Sequence, residues 1–305
     1  MIKKGRHVLL LFAGGHRMGS TYQSLIVQNA LRQLSIPVRL TDRAALNIFH
    51  LQKIRQTFAA ADEHPETWFI AKAHAAFSEQ VEAVLTAKNS RVFLVWRDQQ
   101  DALVSDFHFA QRRAGHVYAD FDEYFARRGR KILLRNCLQK AVWQGIEDDR
   151  VKAWEYLRLV HDFENAAAEM LDFAGLEGVD LVALKESVSI KELRKSRNDP
   201  KGTFFRKGGK QDISLLNPSP STQQAIDAII SQDDPSRLAD AFEQEDWLRT
   251  LLFGRECREA GLRKTLHWWL DDGRRAEYLR KNVLPGIYKL SPRRLIPTRR
   301  PSGAN

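Results

Sequence analysis

The sequence predicts an α/β protein in which helices flank a parallel central sheet, with a helical, basic extension at the C-terminal end. Three observations predict it. Strand-like runs recur at His7–Phe12, Trp68–Ala71, Arg91–Arg97 and Arg150–Tyr156, the first of them continuously apolar, the pattern of a strand buried on both faces. Loop or helix signals follow each run, the alternation that builds a doubly wound sheet. A glycine-rich stretch, Gly14–Gly19, separates the first run from the first helical segment.

Each element has its own justification. HVLLLF breaks at Ala13-Gly14-Gly15, and a helix is expected from Ser20 to about Leu34, where Tyr22, Leu25, Ile26 and Asn29 repeat at helical spacing. WFIA and RVFLVWR are the second and third strands. The helix after the third takes Asp98 or Asp101 as its cap and runs to about Arg113. RVKAWEY is the fourth strand; Asp162 then opens a helix that closes at Gly175, where glycine suits a left-handed cap. Lys195–Gly209 is basic and glycine-rich and reads as a mobile loop. The expected organisation is a catalytic core over residues 1–244 and an extension over residues 245–305, without internal repeats.

Composition excludes several classes. With 43% hydrophobic and 28% charged residues in a chain of 305, disorder and collagen-like repeats are ruled out. No run reaches the roughly 18 apolar residues of a membrane span. Val8–Ala13, behind Lys3, Lys4 and Arg6, is too short for a secretion signal. Two cysteines, Cys137 and Cys257, are too few for a disulfide framework or a zinc site. A cytoplasmic location is expected. The net charge of +10 is unevenly placed: residues 245–305 hold 14 Lys and Arg against 7 Asp and Glu. Such a tail suits phosphate groups, anionic lipid or nucleic acid, or is a solvated tail without a dedicated partner.

Gly14-Gly15-His16-Arg17-Met18-Gly19-Ser20-Thr21 has the skeleton of a phosphate-binding loop, two glycines five apart and then a hydroxyl residue. Glycines let backbone N–H groups turn toward an anion, and the helix start adds a favourable dipole. A nucleoside triphosphatase has lysine directly after the last glycine. Ser20 stands there, and the cation comes earlier, at Arg17. The loop is therefore suited to an anion and lacks the group that handles a γ-phosphate. Lys72-Ala73-His74 lies past the second strand, where open α/β sheets place reactive groups. Arg97 ends the third strand, and Ser105 follows on a helix; together they could grip a second phosphate.

These pieces in this order resemble the sulfotransferase family that uses 3′-phosphoadenosine 5′-phosphosulfate (PAPS). Arg17-Met18-Gly19-Ser20-Thr21-Tyr22 resembles its 5′-phosphosulfate loop, Lys72-Ala73-His74 its catalytic segment, and VFLVWRDQQDALVSDFHF its 3′-phosphate segment. Phe205-Arg206-Lys207-Gly208 resembles the late loop over the nucleotide, and Trp154-Glu155-Tyr156-Leu157 the strand between. The resemblance covers about Arg6 to Asp212. It implies His74 as general base, with Arg17 and Lys72 as electrostatic partners, and a donor site of Arg17, Met18, Gly19, Ser20, Thr21, Tyr22, Arg97, Ser105, Trp154, Arg206, Lys207 and Gly208. PAPS would be the co-substrate, PAP the product, and no metal would be needed. The acceptor would be a hydroxyl, less readily an amine, of a small molecule, lipid or glycan.

The chain departs from the family pattern in places. Arg17 replaces the usual lysine of the cytosolic branch, Tyr22 a tryptophan, and Ser189-Ile190 a Ser-Phe pair. The C-terminal dimer motif of that branch is missing, so the oligomeric state stays open. In the extension, LRKTLHWWL (Leu262–Leu270) combines cations with paired tryptophans; it suits peripheral membrane contact, packing on the core or lining the acceptor pocket. Two alternatives remain at this level: a P-loop nucleotide kinase, and a non-catalytic nucleotide- or nucleic-acid-binding protein. No specific nucleic acid is expected, because no recognition module is present.

Overall fold

The computed structural model describes residues 9–40, 51–63, 67–86, 90–112, 118–196, 210 and 212–245. All belong to one compact unit, Met1–Glu245. The expected extension over 245–305 falls, beyond Glu245, outside the described residues, and so does the LRKTLHWWL segment.

Five parallel strands form the sheet: β1 (Leu9–Ala13), β2 (Val38–Leu40), β3 (Trp68–Ala73), β4 (Ser90–Trp96) and β5 (Val151–Glu155), in the order β2-β3-β1-β4-β5. The central strand β1 is buried along its whole length, which is why its sequence is uniformly apolar instead of alternating. The chain first lays β2 and β3 on one side of β1 and then β4 and β5 on the other. This reversal is the switch point beside which open α/β sheets form their ligand crevice.

Alternate residues of β1 feed two cores, as the two-residue period of a strand requires. Leu10 and Phe12 pack with helices α1 (Ser20–Gln33) and α8 (Phe163–Ala174) through Ile26, Leu31 and Met170. Leu9 and Leu11 face the opposite layer, α2 (Leu51–Asp62), α3 (Ser78–Leu85) and α6 (Arg130–Gln144), through Ile54, Val81 and Trp143. A third cluster joins α4 (Gln99–Arg112), α5 (Phe121–Tyr124) and α6 to α11 (Pro220–Ile230) around Phe107, Tyr124, Leu133 and Ile226. Between α5 and α6 the helix widens into one π-turn, Phe125–Gly129. The described chain also holds the short helices α7 (Tyr156–His161), α9 (Leu181–Ser187) and α10 (Ile190–Ser196), a 3-10 turn at Ile213–Leu216 and a helical stretch over 235–245.

Asp98 is the cap of α4: its Oδ1 accepts the Asp101 N–H at 2.9 Å. Gly175 closes α8 at φ 75°, the left-handed position for which glycine was expected. Three features differ from the sequence reading. Strand β2 has no sequence signal, being three residues at the sheet edge. Strand β5 stops at Glu155, and Tyr156 opens a helix instead of ending the strand. Lys195, expected to begin the basic loop, lies in α10; residues 197–209 fall outside the described residues. Among the described residues, no helix is long and apolar enough to cross a membrane.

Candidate active site

The segments leaving β1, β3 and β4 converge because these three strands are neighbours. From β1 the chain enters Gly14–Gly19 and curls through two left-handed residues, Arg17 at φ 62° and Gly19 at φ 109°. Met18 is wholly buried among the core side chains and seats the loop. Gly19 then turns the chain into α1, whose Gln23 N–H bonds Gly19 O at 3.0 Å. The N–H groups of the first turn, from Ser20 onward, lack intrahelical partners, which makes this end attractive to an anion.

The end of β3 supplies two groups to this loop. Lys72 Nζ donates to Thr21 Oγ1 at 2.5 Å. His74 Nδ1 is hydrogen-bonded to the carbonyl oxygen of Gly14. A carbonyl can only accept, so Nδ1 carries the proton and the neutral ring keeps its lone pair on Nε2. Burial pushes the His74 pKa well below the ordinary histidine value, and His16, Lys72 and Arg135 lower it further against the Gly14 bond. The imidazole is therefore neutral at physiological pH.

A second cationic region lies on the β4 side. Arg17 Nε donates to Ser105 Oγ on α4 at 3.3 Å, and its guanidinium lies 4.6 Å over the Phe109 ring. Burial lowers the Arg17 pKa while Asp106 opposes that; a guanidinium remains charged throughout. Arg97, just past β4, is 9% exposed. Its guanidinium stacks 4.7 Å over the Tyr156 ring, with Asp101 at 3.9 Å. Tyr156 also packs against Gly19 and meets Tyr22 edge-on at 6.3 Å.

Helix α6 braces the site from below. Arg135 Nη2 donates to His74 O at 3.3 Å. Asn136 clamps the next histidine: its Oδ1 accepts His16 N–H at 2.8 Å and its Nδ2 donates to His16 O at 3.1 Å. Beneath Arg17, buried Asp106 accepts Arg128 at 2.7 and 3.2 Å and Tyr124 Oη at 3.0 Å. That bidentate pair holds the π-turn against α4.

Arg17, Gly19, Ser20, Thr21, Tyr22, Lys72, His74, Arg97 and Ser105 thus gather at one edge of the sheet. Ser105, however, faces Arg17, while Arg97 faces Tyr156. Trp154 lies elsewhere, 3% exposed in the core and stacked 5.6 Å from Phe93. Arg206, Lys207 and Gly208 lie outside the described residues. The sequence reading missed His16, Tyr156, Arg135 and Asn136. His16 could have been flagged by its place inside the glycine loop, and Tyr156 by its place beyond a strand. Arg135 and Asn136, mid-helix and 120 residues from the loop for the His16–Asn136 pair, carry no such signal. Among the described residues, no three His, Cys, Asp or Glu side chains are grouped so as to hold a metal ion.

The sulfotransferase domain family matches residues 14–215, from the glycine loop to just short of α11. Solved structures share the fold. One is mouse sulfotransferase SULT7A1 complexed with PAP, 16% identical, with a TM-score of 0.54 over 80% of this chain and 88% of that one. Another is a retinol dehydratase in complex with androsterone and the inactive cofactor PAP, 14% identical, with a TM-score of 0.50 over 74% of this chain and 81% of that one. No curated protein matches the chain in sequence at a significant level. With the family matched across most of the sheet and the loop, lysine and histidine meeting at its edge, the chain belongs to the sulfotransferase family and is a sulfotransferase enzyme.

Proposed function

We propose that the enzyme transfers the sulfuryl group of PAPS to a hydroxyl group of its acceptor, with His74 as the general base. The observation that carries this reading is the Gly14 bond to His74 Nδ1, which puts the ring's basic lone pair on Nε2. The residues present fit such a donor. Curled loop amides, three cations and three hydroxyls meet at one sheet edge, while the adjacent carboxylates of Asp101 and Asp106 are directed at Arg97 and Arg128. The solved neighbours crystallised with PAP support the same donor, and androsterone in one of them supports a hydroxylated acceptor.

The donor supplies a sulfuryl group attached to a phosphate that leaves with the bonding electron pair. The Met18 and Gly19 amides, Ser20 and Thr21 would hold its 5′ end, and Arg97, Ser105, Arg206, Lys207 and Gly208 its 3′-phosphate. His74 Nε2 takes the proton from the acceptor oxygen as that oxygen bonds to sulfur. Lys72 and Arg17 offset the charge on the transferring and leaving oxygens; Arg17, always protonated, acts only as a clamp.

Calorimetric titration with PAP, ADP and 5′-AMP tests the donor. Binding should require the 3′-phosphate; tighter binding of ADP would overturn the assignment. For the base, His74→Ala should lower turnover by ~10²–10⁴ while PAP still binds. A variant that keeps most of its turnover removes His74 from that role.

A further inference from the structure

Inside the glycine loop, His16 is the one ring-bearing side chain, and it lies on the catalytic candidate. The His16 and His74 rings are nearly parallel, 8° apart, with centroids separated by 5.5 Å, an offset stack. This placement is built in by the backbone. Asn136, itself 1% exposed, grips the His16 peptide at both its N–H and its C=O. The following residue, Arg17, is left-handed at φ 62° and sends its side chain to Ser105 and Phe109 instead. Consecutive side chains of one loop thus serve opposite sides of the site.

His74 is correspondingly held on three sides: Nδ1 on Gly14 O, the backbone carbonyl on Arg135, and one ring face on His16. Turning the His74 ring would break both the Gly14 bond and the stack. We propose that His16 is a positioning residue for sulfuryl transfer, an aromatic shelf that fixes the plane of the His74 ring and faces the positive charge that ring acquires on taking the acceptor's proton. The inference rests on the reading of His74 as general base.

The shelf works only while His16 is itself uncharged, since a neutral π-face attracts an imidazolium and a second imidazolium repels it. The groups around it keep it so. Burial, together with Arg135 of α6, Arg128 of the π-turn and Arg17 of the same loop, lowers the His16 pKa to about 4. Asp106 of α4 acts in the opposite direction, but its carboxylate is already engaged by Arg128 and Tyr124. Around His74 the groups that lower its pKa by charge are His16 of the glycine loop once protonated, Lys72 on β3 and Arg135 on α6. While His16 is neutral, its ring face adds no charge against protonation of His74, and the Gly14 carbonyl favours it.

The test compares His16→Phe, which keeps a ring, with His16→Ala. Two readouts are needed: kcat and KM for PAPS, and an NMR titration of the His74 imidazole in the donor-free protein. His16→Ala should lower kcat about tenfold with KM for PAPS little changed. It should also move the His74 titration up toward the ordinary value, as water replaces the shelf. His16→Phe should restore kcat to within about threefold and keep His74 titrating low. Where the alanine variant does not fold, His16→Leu keeps the burial without the π-face, and the same fall in kcat is expected. Unchanged kcat in the alanine or leucine variant overturns the proposal. So does a phenylalanine variant as impaired as alanine, because the ring nitrogens of His16 would then be what matters. Should His74→Ala retain turnover, the base assignment falls by itself, and the NMR titration still reports whether His16 governs the His74 ring.

Discussion

Tyr156 closes directly on Gly19: a β-carbon placed on that glycine would stand 2.5 Å from Tyr156 Cδ2. The glycine is also left-handed at φ 109°, so any side chain there is strained as well as obstructed. We expect Gly19→Ala to cost ~1–3 kcal/mol of stability and to weaken PAP binding by displacing the loop. The double variant Gly19→Ala, Tyr156→Ala relieves the clash and should recover part of the stability. Strict additivity of the two changes in urea denaturation would show that the residues do not press on each other.

Arg97 depends on the same tyrosine. Its guanidinium sits 4.7 Å over the Tyr156 ring, which holds it in place without neutralising it. Arg97→Ala should weaken PAP binding by ~2–4 kcal/mol and leave 5′-AMP, which lacks the 3′-phosphate, nearly unaffected. Tyr156→Leu should cost ~0.5–2 kcal/mol in PAP affinity, while Tyr156→Phe stays close to the native enzyme. Equal losses for both nucleotides in the Arg97 variant would show that this arginine does not read the 3′-phosphate.

What was legible in the sequence follows from how each residue is placed. β1, β3 and β4 stand out because buried parallel strands are uninterrupted apolar runs, whereas three-residue β2 at the edge leaves no pattern. Arg17 and His74 could be read because the position after a strand is itself the signal, whereas Lys72, expected past its strand, lies within the last residues of β3. Trp154 and Tyr156 show the opposite case. Within a strand they would share a face, but the chain turns into α7 at Tyr156. Trp154 consequently joins Phe93 in the core and Tyr156 reaches the loop. Arg135 and Asn136 acquire their roles only when α6 packs under the sheet edge, a long-range event that no local pattern announces.

The Asp106–Arg128 pair gives a stability prediction. Asp106 is 1% exposed and receives two hydrogen bonds from Arg128 and one from Tyr124. Asp106→Asn removes the charge but leaves Arg128 in place, so a loss of ~3–5 kcal/mol is expected. Replacing both partners with apolar residues, Asp106→Leu with Arg128→Met, should recover most of it, since neither charge then stays unpaired. Chemical denaturation of the three variants decides between these outcomes. A double variant as unstable as Asp106→Asn would mean that the pair supports the π-turn by shape and not by charge.

Acid sensitivity follows from the stacked histidines. Both have folded-state pKa values below 6.5, that of His16 at about 4. Between those values the unfolded chain binds more protons than the folded one, so stability falls as pH drops from about 6.5 and the His16 part is complete near 4. The paired carboxylate of Asp148, lowered to about 2, acts in a separate window below its ordinary value of 3.8. Between about pH 7.5 and pH 5 His16 should account for a loss on the order of 2 kcal/mol. Urea denaturation at the two pH values measures it, and His16→Phe, which cannot be protonated, should lose that much less. An identical drop in the variant would place the acid sensitivity in His74 or elsewhere and remove His16 as its source.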